Sequence, residues 1–466
     1  MPYSFTLPNI RKEAAALWHL AWPVLIGQLA TVGMGVADVA MTGHTSAAEL
    51  AAVSLGASVW SIILVTVNGT MMAVNTVVAH QVGAGAFDRI PHSVRQALWK
   101  AVGVGIVAAL AANLATLLFD HLQLEPEVNA RASMFVHIVS VGLLPFAAYR
   151  ALYGYSASIN QTKPVMVIAL IGLAVNIAVN WLLVFGNLGF PKMGALGCAV
   201  ATGAVVWLDL LAIVVWIRIS SAYRASYPFD KWEWPHWPEV WNMLKLGVPI
   251  GVTYFAEVSV FGAVSLLVAR FGVVTVSAHQ IALNFSSLTF MVPLSFGIGM
   301  IARVGQALGE GNPQRARFAS FVGLWMSTGF AVLSALFIAL FRHQIAAAYT
   351  SDVAVQEMCA HLLLFAALFQ LSDAMQVAAS CAIRGYKVTR GPMVIQLIAF
   401  WGVALPVGCV LGLAPQWLPF APAEPMSATG FWIGLVLGLT VAAVLLTAYL
   451  QRLSRQRAMQ PASVAK

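Results

Sequence analysis

The chain has 466 residues, of which 60% are hydrophobic and only 9% charged, with a formal net charge of +8. A soluble domain carries roughly a quarter charged residues. This composition therefore excludes cytosolic globular domains, a disordered chain and a secreted disulfide scaffold, and leaves a polytopic membrane protein with almost no extramembrane domain.

The N-terminal MPYSFTLPNIRKE has no apolar signal core and no small-residue cleavage site, and it runs into a long apolar segment. It reads as a retained anchor. A spanning helix needs about 20 apolar residues. Apolar runs between polar or Gly/Pro breaks predict twelve spans, over 15–42, 50–80, 96–119, 131–157, 164–187, 194–219, 239–270, 276–307, 317–341, 353–383, 392–412 and 428–451. Several are longer than a bilayer requires, which implies tilt, kinks or protrusion. Pro23, Pro145, Pro249, Pro293 and Pro406 lie inside spans and are candidate kinks.

The basic residues sort by connection. Of the 25 Lys and Arg, only Arg131, Lys192, Arg270 and Arg342 fall in odd-numbered connections, which leaves 21 (25 minus 4) in even-numbered connections and the two ends, Lys100, Arg384 and Lys466 among them. By the positive-inside rule both termini are cytoplasmic. The +8 is then a topology label, and nucleic acid is not an expected partner. The longest interior connection, 219–238, reads SSAYRASYPFDKWEWPHWPE. It is a predicted cytoplasmic linker between a six-helix lobe over 1–218 and a second over 239–466. Its Trp232, Trp234 and Trp237, with Trp241, suit an interfacial aromatic belt.

The lobes repeat. At an offset of 226, Pro23 matches Pro249, and VGAGAFDR (82–89) matches LGEGNPQR (308–315). At 227, TKPVMVI (162–168) matches TRGPMVI (389–395). Six spans per lobe make the repeat parallel, with a pseudo-two-fold axis along the membrane normal and a central cavity. The GxG turns read as glycine-capped helix ends, since they lack the strand and ribose-binding acid of a nucleotide fold. The fold class is all-α, with twelve transmembrane helices in two parallel-repeat six-helix lobes.

Four acids fall well inside spans: Asp38, Asp209, Glu257 and Asp373. An intramembrane carboxylate costs about 2.5–3.5 kcal/mol and usually faces a cavity, a partner or an ion. Glu257 is 12 residues from Lys245 and Asp373 is 11 from Arg384, or about 18 and 16 Å along a helix. The two share a depth and could share a cation or proton. Asp38 lies near the outer end of span 1. Asn176 and Asn180 share one face of span 5, and Thr202 lies near the same side on span 6. Asp38, Asn176, Asn180 and Thr202 form a predicted all-oxygen cluster suited to a hard monovalent cation or a titrating proton. At the repeat offset Asp38 maps to Val264, Glu257 to Thr31 and Asp373 to Phe146, so two different sites are expected. Cys198, Cys359, Cys381 and Cys409 lie in apolar stretches without CxxC spacing and read as buried thiols. No His/Cys pattern points to a transition metal.

At these residues the chain resembles the multidrug and toxic compound extrusion (MATE) transporters, in the NorM-like branch. The likeness rests on WPVLIGQLATVGMGVADVAMTG around Asp38, VNTVVAHQVGAG, YFAEVSVFG around Glu257, SAHQIALNFSSLTFMVPLSFGIG, and QLSDAMQVAASCAIRGYKVTRGP around Asp373. It implies export of organic cations and amphiphilic drugs across a bacterial cytoplasmic (inner) membrane, driven by Na+ or H+ entry, with no cofactor beyond that ion. A monomer in the lipid bilayer is the expected state. Asp38, Glu257 and Asp373 match the family's membrane carboxylates and are the candidate Na+ ligands. Asn176 and Asn180 match polar positions of the N-lobe site, and Gln280 and Asn284 match a polar patch on span 8 that could face substrate. Asp209 matches no motif and stands outside the predicted sites. The alternative transport reading, a lipid-linked oligosaccharide flippase, should line its cavity with Lys or Arg, which are nearly absent from the middle of the spans, where the ionisable groups are acidic. An enzyme reading has no HExxH or DDxxD to rest on.

Overall fold

The computed structural model describes residues 6–121, 125–415 and 422–459. Lys466 and both chain ends, 1–5 and 460–466, for which the sequence predicts the cytoplasmic side, lie outside the described residues. Among the described residues there is no strand. Eleven helices among the described residues are long and apolar enough to cross a membrane. They are Leu7–Gly43, Ala48–Gly83, Ile90–His121, Lys163–Phe185, Ala195–Ile219, Trp237–Phe271, Val273–Gly309, Pro313–Tyr349, Val353–Gly385, Arg390–Leu413 and Ser427–Met459. The pair Pro126–Ser140 and Leu143–Ser158, bent by 43°, completes a set of up to twelve. They are numbered below as spans 1 to 12 in chain order, the bent pair being span 4. All twelve fall where the apolar runs predict them, and most begin earlier or end later, as the length of the runs implies.

The interruptions have separate causes. Proline removes a helix hydrogen bond and crowds the carbonyl four residues back. Pro145 sits in this relation to Val141, where span 4 breaks. Pro406 follows the π-helical turn Ile398–Ala404 of span 11, which includes the crowded carbonyl of Gly402. Pro23, Pro249 and Pro293 sit inside helices that run on. Span 2 breaks at Met72 with no proline nearby. There the Lys100 ammonium donates to the Thr70 carbonyl at 2.7 Å. Span 7 crosses this break at Gly247 and Gly251, where an added Cβ would lie 2.2 Å from the Thr70 carbonyl oxygen and 2.2 Å from its Oγ1. Only glycine allows that approach.

The chain forms two compact units. One is Trp22–Phe255, and the other joins Met1–Ala21 to Ala256–Lys466. The linker segment marks the end of the first repeat in sequence, whereas packing divides the chain inside spans 1 and 7.

In the first unit the segment 219–238 folds onto the start of span 3. His92, Gln96 and Trp99 lie one turn apart, with Arg95 beside them, so one helix face meets the linker. Arg95 donates to the Pro228 carbonyl and the Asp230 carboxylate at 3.0 Å and to Glu233 at 2.6 Å. That guanidinium holds the Glu233 carboxyl below its usual range. Gln96 donates to the Trp234 carbonyl (3.1 Å) and accepts from the His236 N–H (2.6 Å), while Trp99 donates to the Glu233 carbonyl (2.9 Å). The ring of Trp99 stacks on Trp234 and meets Trp232 edge-on. Trp232, Trp234, Trp237 and Trp241 keep most of their surface exposed.

In the second unit two apolar cores stack along the helices. One gathers Val260, Ala282, Leu362, Phe431 and Trp432. The other gathers Leu17 and Ala21 of span 1 with Met300, Ala378 and Leu446. A two-pronged ion pair from Arg303 to Glu13, at 2.8 and 2.7 Å, fastens the start of span 1 here.

Backbone geometry repeats as the sequence does. In the turn after span 2, Ala84, Gly85 and Ala86 donate to His80, Val82 and Gln81, and after span 8 Glu310, Gly311 and Asn312 donate to Gln306, Leu308 and Ala307. Each partner is 226 residues on. Gly85 (φ +67°) and Gly311 (φ +71°) take the left-handed position that closes the cap. After spans 4 and 10 the same turn recurs at 227, with Asn160 (φ +63°) and Lys387 (φ +60°) in that position.

Candidate functional site

In the first unit, spans 1, 5 and 6 bring the four predicted residues together. Asn176 and Asn180 donate to Asp38 Oδ1 at 3.2 and 2.6 Å, and Thr202 donates to Oδ2 at 3.1 Å. Asn180 also donates to Asn176 Oδ1 at 3.2 Å. Both asparagines are buried. The i, i+4 spacing aims both amides at one carboxylate, as the helix period requires. Small residues keep spans 1 and 5 close. A Cβ added at Gly27 would lie 3.7 Å from the Ala169 Cβ, and one added at Gly172 would lie 3.3 Å from the Met34 Cε. One acceptor in the cluster is left over: Asn180 Oδ1 is buried and has no hydrogen-bond partner. A carboxylate, an orphaned amide oxygen and a hydroxyl make a donor set of hard oxygens, which fits a monovalent cation or a proton better than a soft metal.

Asp209, which matches no motif, lies on the same face of span 6 as Thr202, seven residues on. Its Oδ1 is buried without a partner, and a Cβ on Gly172 of span 5 would stand 2.9 Å from it. It shares no hydrogen bond with the Asp38 cluster among the described residues.

In the second unit, Glu257 of span 7 and Asp373 of span 10 are both buried and act on each other electrostatically. Trp401 donates to the Ala256 carbonyl at 3.3 Å, beside Glu257. Gln376 donates to Asp373 Oδ1 at 3.2 Å, and Gln396 of span 11 donates to Gln376 Oε1 at 2.5 Å. Sequence reasoning misses this glutamine chain, although its signal is present. Asp373 and Gln376 are three apart on one helix, and Gln396 is a lone polar residue in an apolar span.

Two basic side chains depart from the charge pattern. Lys100 and Arg384 count among the cytoplasmic connections in sequence, yet both are buried, at 1% and 4% exposure. Lys100 caps the broken end of span 2, and Arg384 lies close enough to Glu257 to act on its charge. Basic groups are thus sparse inside the helices but not missing.

Gln280 and Asn284 share a face of span 8 and are exposed. Tyr349 donates to Asn284 Oδ1 at 2.9 Å. Neither residue joins the hydrogen bonds of Asp373 and Gln376 among the described residues. Nearby, buried His279 accepts from Trp432 Nε1 at 3.1 Å and meets Ser265 at 3.2 Å, tying spans 7, 8 and 12. The four cysteines are free; Cys198, Cys359 and Cys381 are buried, and Cys409 is half-buried.

The MatE family model matches the chain twice, over residues 23–182 and 249–410. The two matches begin 226 residues apart, at the repeat offset. The chain is 42% identical over 449 residues to the multidrug resistance protein PmpM of Pseudomonas aeruginosa, covering 96% of this chain and 93% of that one. It is 38% identical over 452 residues to the probable multidrug resistance protein NorM of Acinetobacter baylyi, covering 97% and 99%. In fold it is similar to the eukaryotic MATE transporter AtDTX14, with a TM-score of 0.85 at 20% identity, covering 96% of this chain and 99% of that one.

Proposed function

The chain belongs to the MatE family, and from that membership we propose that it is a multidrug efflux antiporter. It exports cationic and amphiphilic organic compounds from a bacterial cytoplasm in exchange for Na+ or H+, by alternating access. The membrane is the cytoplasmic one, both termini face the cytoplasm, and the working unit is the monomer.

The observation that supports ion coupling is the Asp38 cluster, in which a carboxylate inside a span is met by Asn176, Asn180 and Thr202 while Asn180 Oδ1 stays unpaired. Neutral donors stabilise the charged carboxylate, and the spare oxygen leaves a ligand for an entering cation. Glu257 and Asp373 form the second coupling site. Two buried carboxylates repel when both are charged, so a proton or cation between them is favoured. Gln280 and Asn284, exposed on span 8, are the candidate substrate contacts.

Moving one charge across 100 mV involves about 2.3 kcal/mol. One Na+ or H+ exchanged for one monovalent cationic drug moves no net charge, so only the ion's chemical gradient drives export. A larger ion-to-drug ratio would recruit the potential.

The test is substrate transport by everted membrane vesicles under separately imposed Na+ and proton gradients, on wild type and on Asp38→Asn, Glu257→Gln and Asp373→Asn. Wild type should respond to at least one gradient and each variant should lose most of that response. Variants that all transport like wild type would overturn the site assignment.

A further inference from the structure

We propose that the clasp between span 3 and the linker segment is a binding site for a divalent transition cation of the Zn2+ class, built from His92, His236 and Glu239 with Glu233 beside them. One ligand atom from each of His92, His236 and Glu239 lies within 4.8 Å of the others. His92 Nε2 is 2.8 Å from Glu239, and His92 Nδ1 contacts Glu233. The His92 and His236 rings are 6.1 Å apart. Zn2+ holds imidazole nitrogen and carboxylate oxygen at about 2.0–2.2 Å. Ligand atoms this close reach a shared ion through side-chain rotation alone.

The donor chemistry selects the ion class. Two imidazoles with carboxylates suit Zn2+, Co2+ or Ni2+ better than Na+, Mg2+ or Ca2+, which prefer oxygen. The ligands are also held from behind, as metal ligands generally are. Ser93 donates to Glu239 Oε1 at 2.7 Å and itself accepts from Gln81 at 2.8 Å. Arg95 fixes Glu233, and Gln96 fixes the backbone at His236. Each carboxylate therefore keeps its other oxygen, Oε2, turned toward His92. The sequence hides this cluster because His92 and His236 are separated by most of the first repeat and show no metal-binding spacing.

A bound ion would tie the linker and the start of span 7 to span 3 within one unit. The site is independent of the coupling carboxylates and of the transport reading.

The test uses full-length protein in detergent, purified without a polyhistidine tag and stripped of metal. Zn2+ binding is measured by calorimetry, and Co2+ serves as an absorbance probe of coordination. One ion per chain is expected, with about tenfold or greater weakening in His236→Ala and no binding when His92→Ala is added. His236 is exposed and is held through its backbone N–H, which alanine keeps, so the single variant should fold. Zn2+ should also slow tryptic cleavage at Arg224 and Lys231 in wild type and not in His236→Ala. No saturable Zn2+ uptake by wild type, or uptake that survives the double substitution, overturns the proposal.

Discussion

The two units carry their intramembrane acids in opposite ways. In the first, one carboxylate is surrounded by neutral donors: Asn176, Asn180 and Thr202 all point at Asp38. In the second, two carboxylates act on each other, with one amide donor, Gln376, on Asp373 and a guanidinium, Arg384, acting on Glu257. The turns that end spans 2 and 8 match bond for bond at the repeat offset, so the backbone plan is shared while the chemistry is not. Under the proposed function, the first arrangement suits an ion that brings its own positive charge to a charged carboxylate. The second suits a particle that removes repulsion between two acids.

The largest effects should fall on the paired acids. Asp373→Asn should cut gradient-driven transport about a hundredfold, equivalent to about 2.7 kcal/mol, and Glu257→Gln by a similar amount. If the pair binds as a unit, the double variant should lose little more than either single one. Losses that multiply in the vesicle assay would break the comparison, because each acid would then act alone.

Asp38→Asn comes next. A hydrogen bond to a charged group contributes about 1.5–3 kcal/mol, and here three are lost or weakened together with the charge. Transport should fall about tenfold or more. The half-saturating concentration of the driving ion, measured separately for Na+ and H+, should rise for one ion and hold for the other. Equal shifts for both ions would remove the distinction drawn between the units.

Gln376→Leu probes the second unit without touching an acid. It leaves Asp373 Oδ1 and Gln396 Nε2 without the partner that Gln376 supplies, and stranding buried polar groups costs about 1–3 kcal/mol. A fall in thermal stability with a smaller fall in transport than Asp373→Asn is expected. Unchanged stability would mean the glutamine chain holds nothing in place.

Much of this is legible in the sequence because membrane helices leave coarse signals. Apolar runs locate the spans, and charge alternation numbers them. The helix period places Asn176 and Asn180 on one face toward Asp38. What escapes depends on side-chain reach between helices. Lys100 looks like a cytoplasmic lysine, yet a break in span 2 at Met72 offers it the Thr70 carbonyl, and nothing local marks that break. Arg384 lies one residue before the end of its helix but is buried, with Nη1 3.9 Å from the Cys381 sulfur and its charge within reach of Glu257. The division of spans 1 and 7 between units also has no local signal. It rests on contacts far apart in sequence, such as Glu13 with Arg303 and Gly251 with Thr70.

The smallest expected effect separates geometry from charge in the first unit. Thr202→Val keeps the shape of the side chain and removes only the hydroxyl that donates to Asp38 Oδ2 at 3.1 Å. Asp38 keeps its charge and both asparagine donors, so the site should still bind its ion. With two donors left on the carboxylate, the loss of this one falls at the low end of the range for a charged acceptor, about 1.5 kcal/mol, which predicts about a tenfold rise in the half-saturating ion concentration with maximal transport preserved. A loss as large as that of Asp38→Asn would mean that the hydroxyl is itself an ion ligand. The cluster would then be a coordination shell in which the neutral oxygens matter as much as the acid, and the contrast with the paired acids of the second unit would widen.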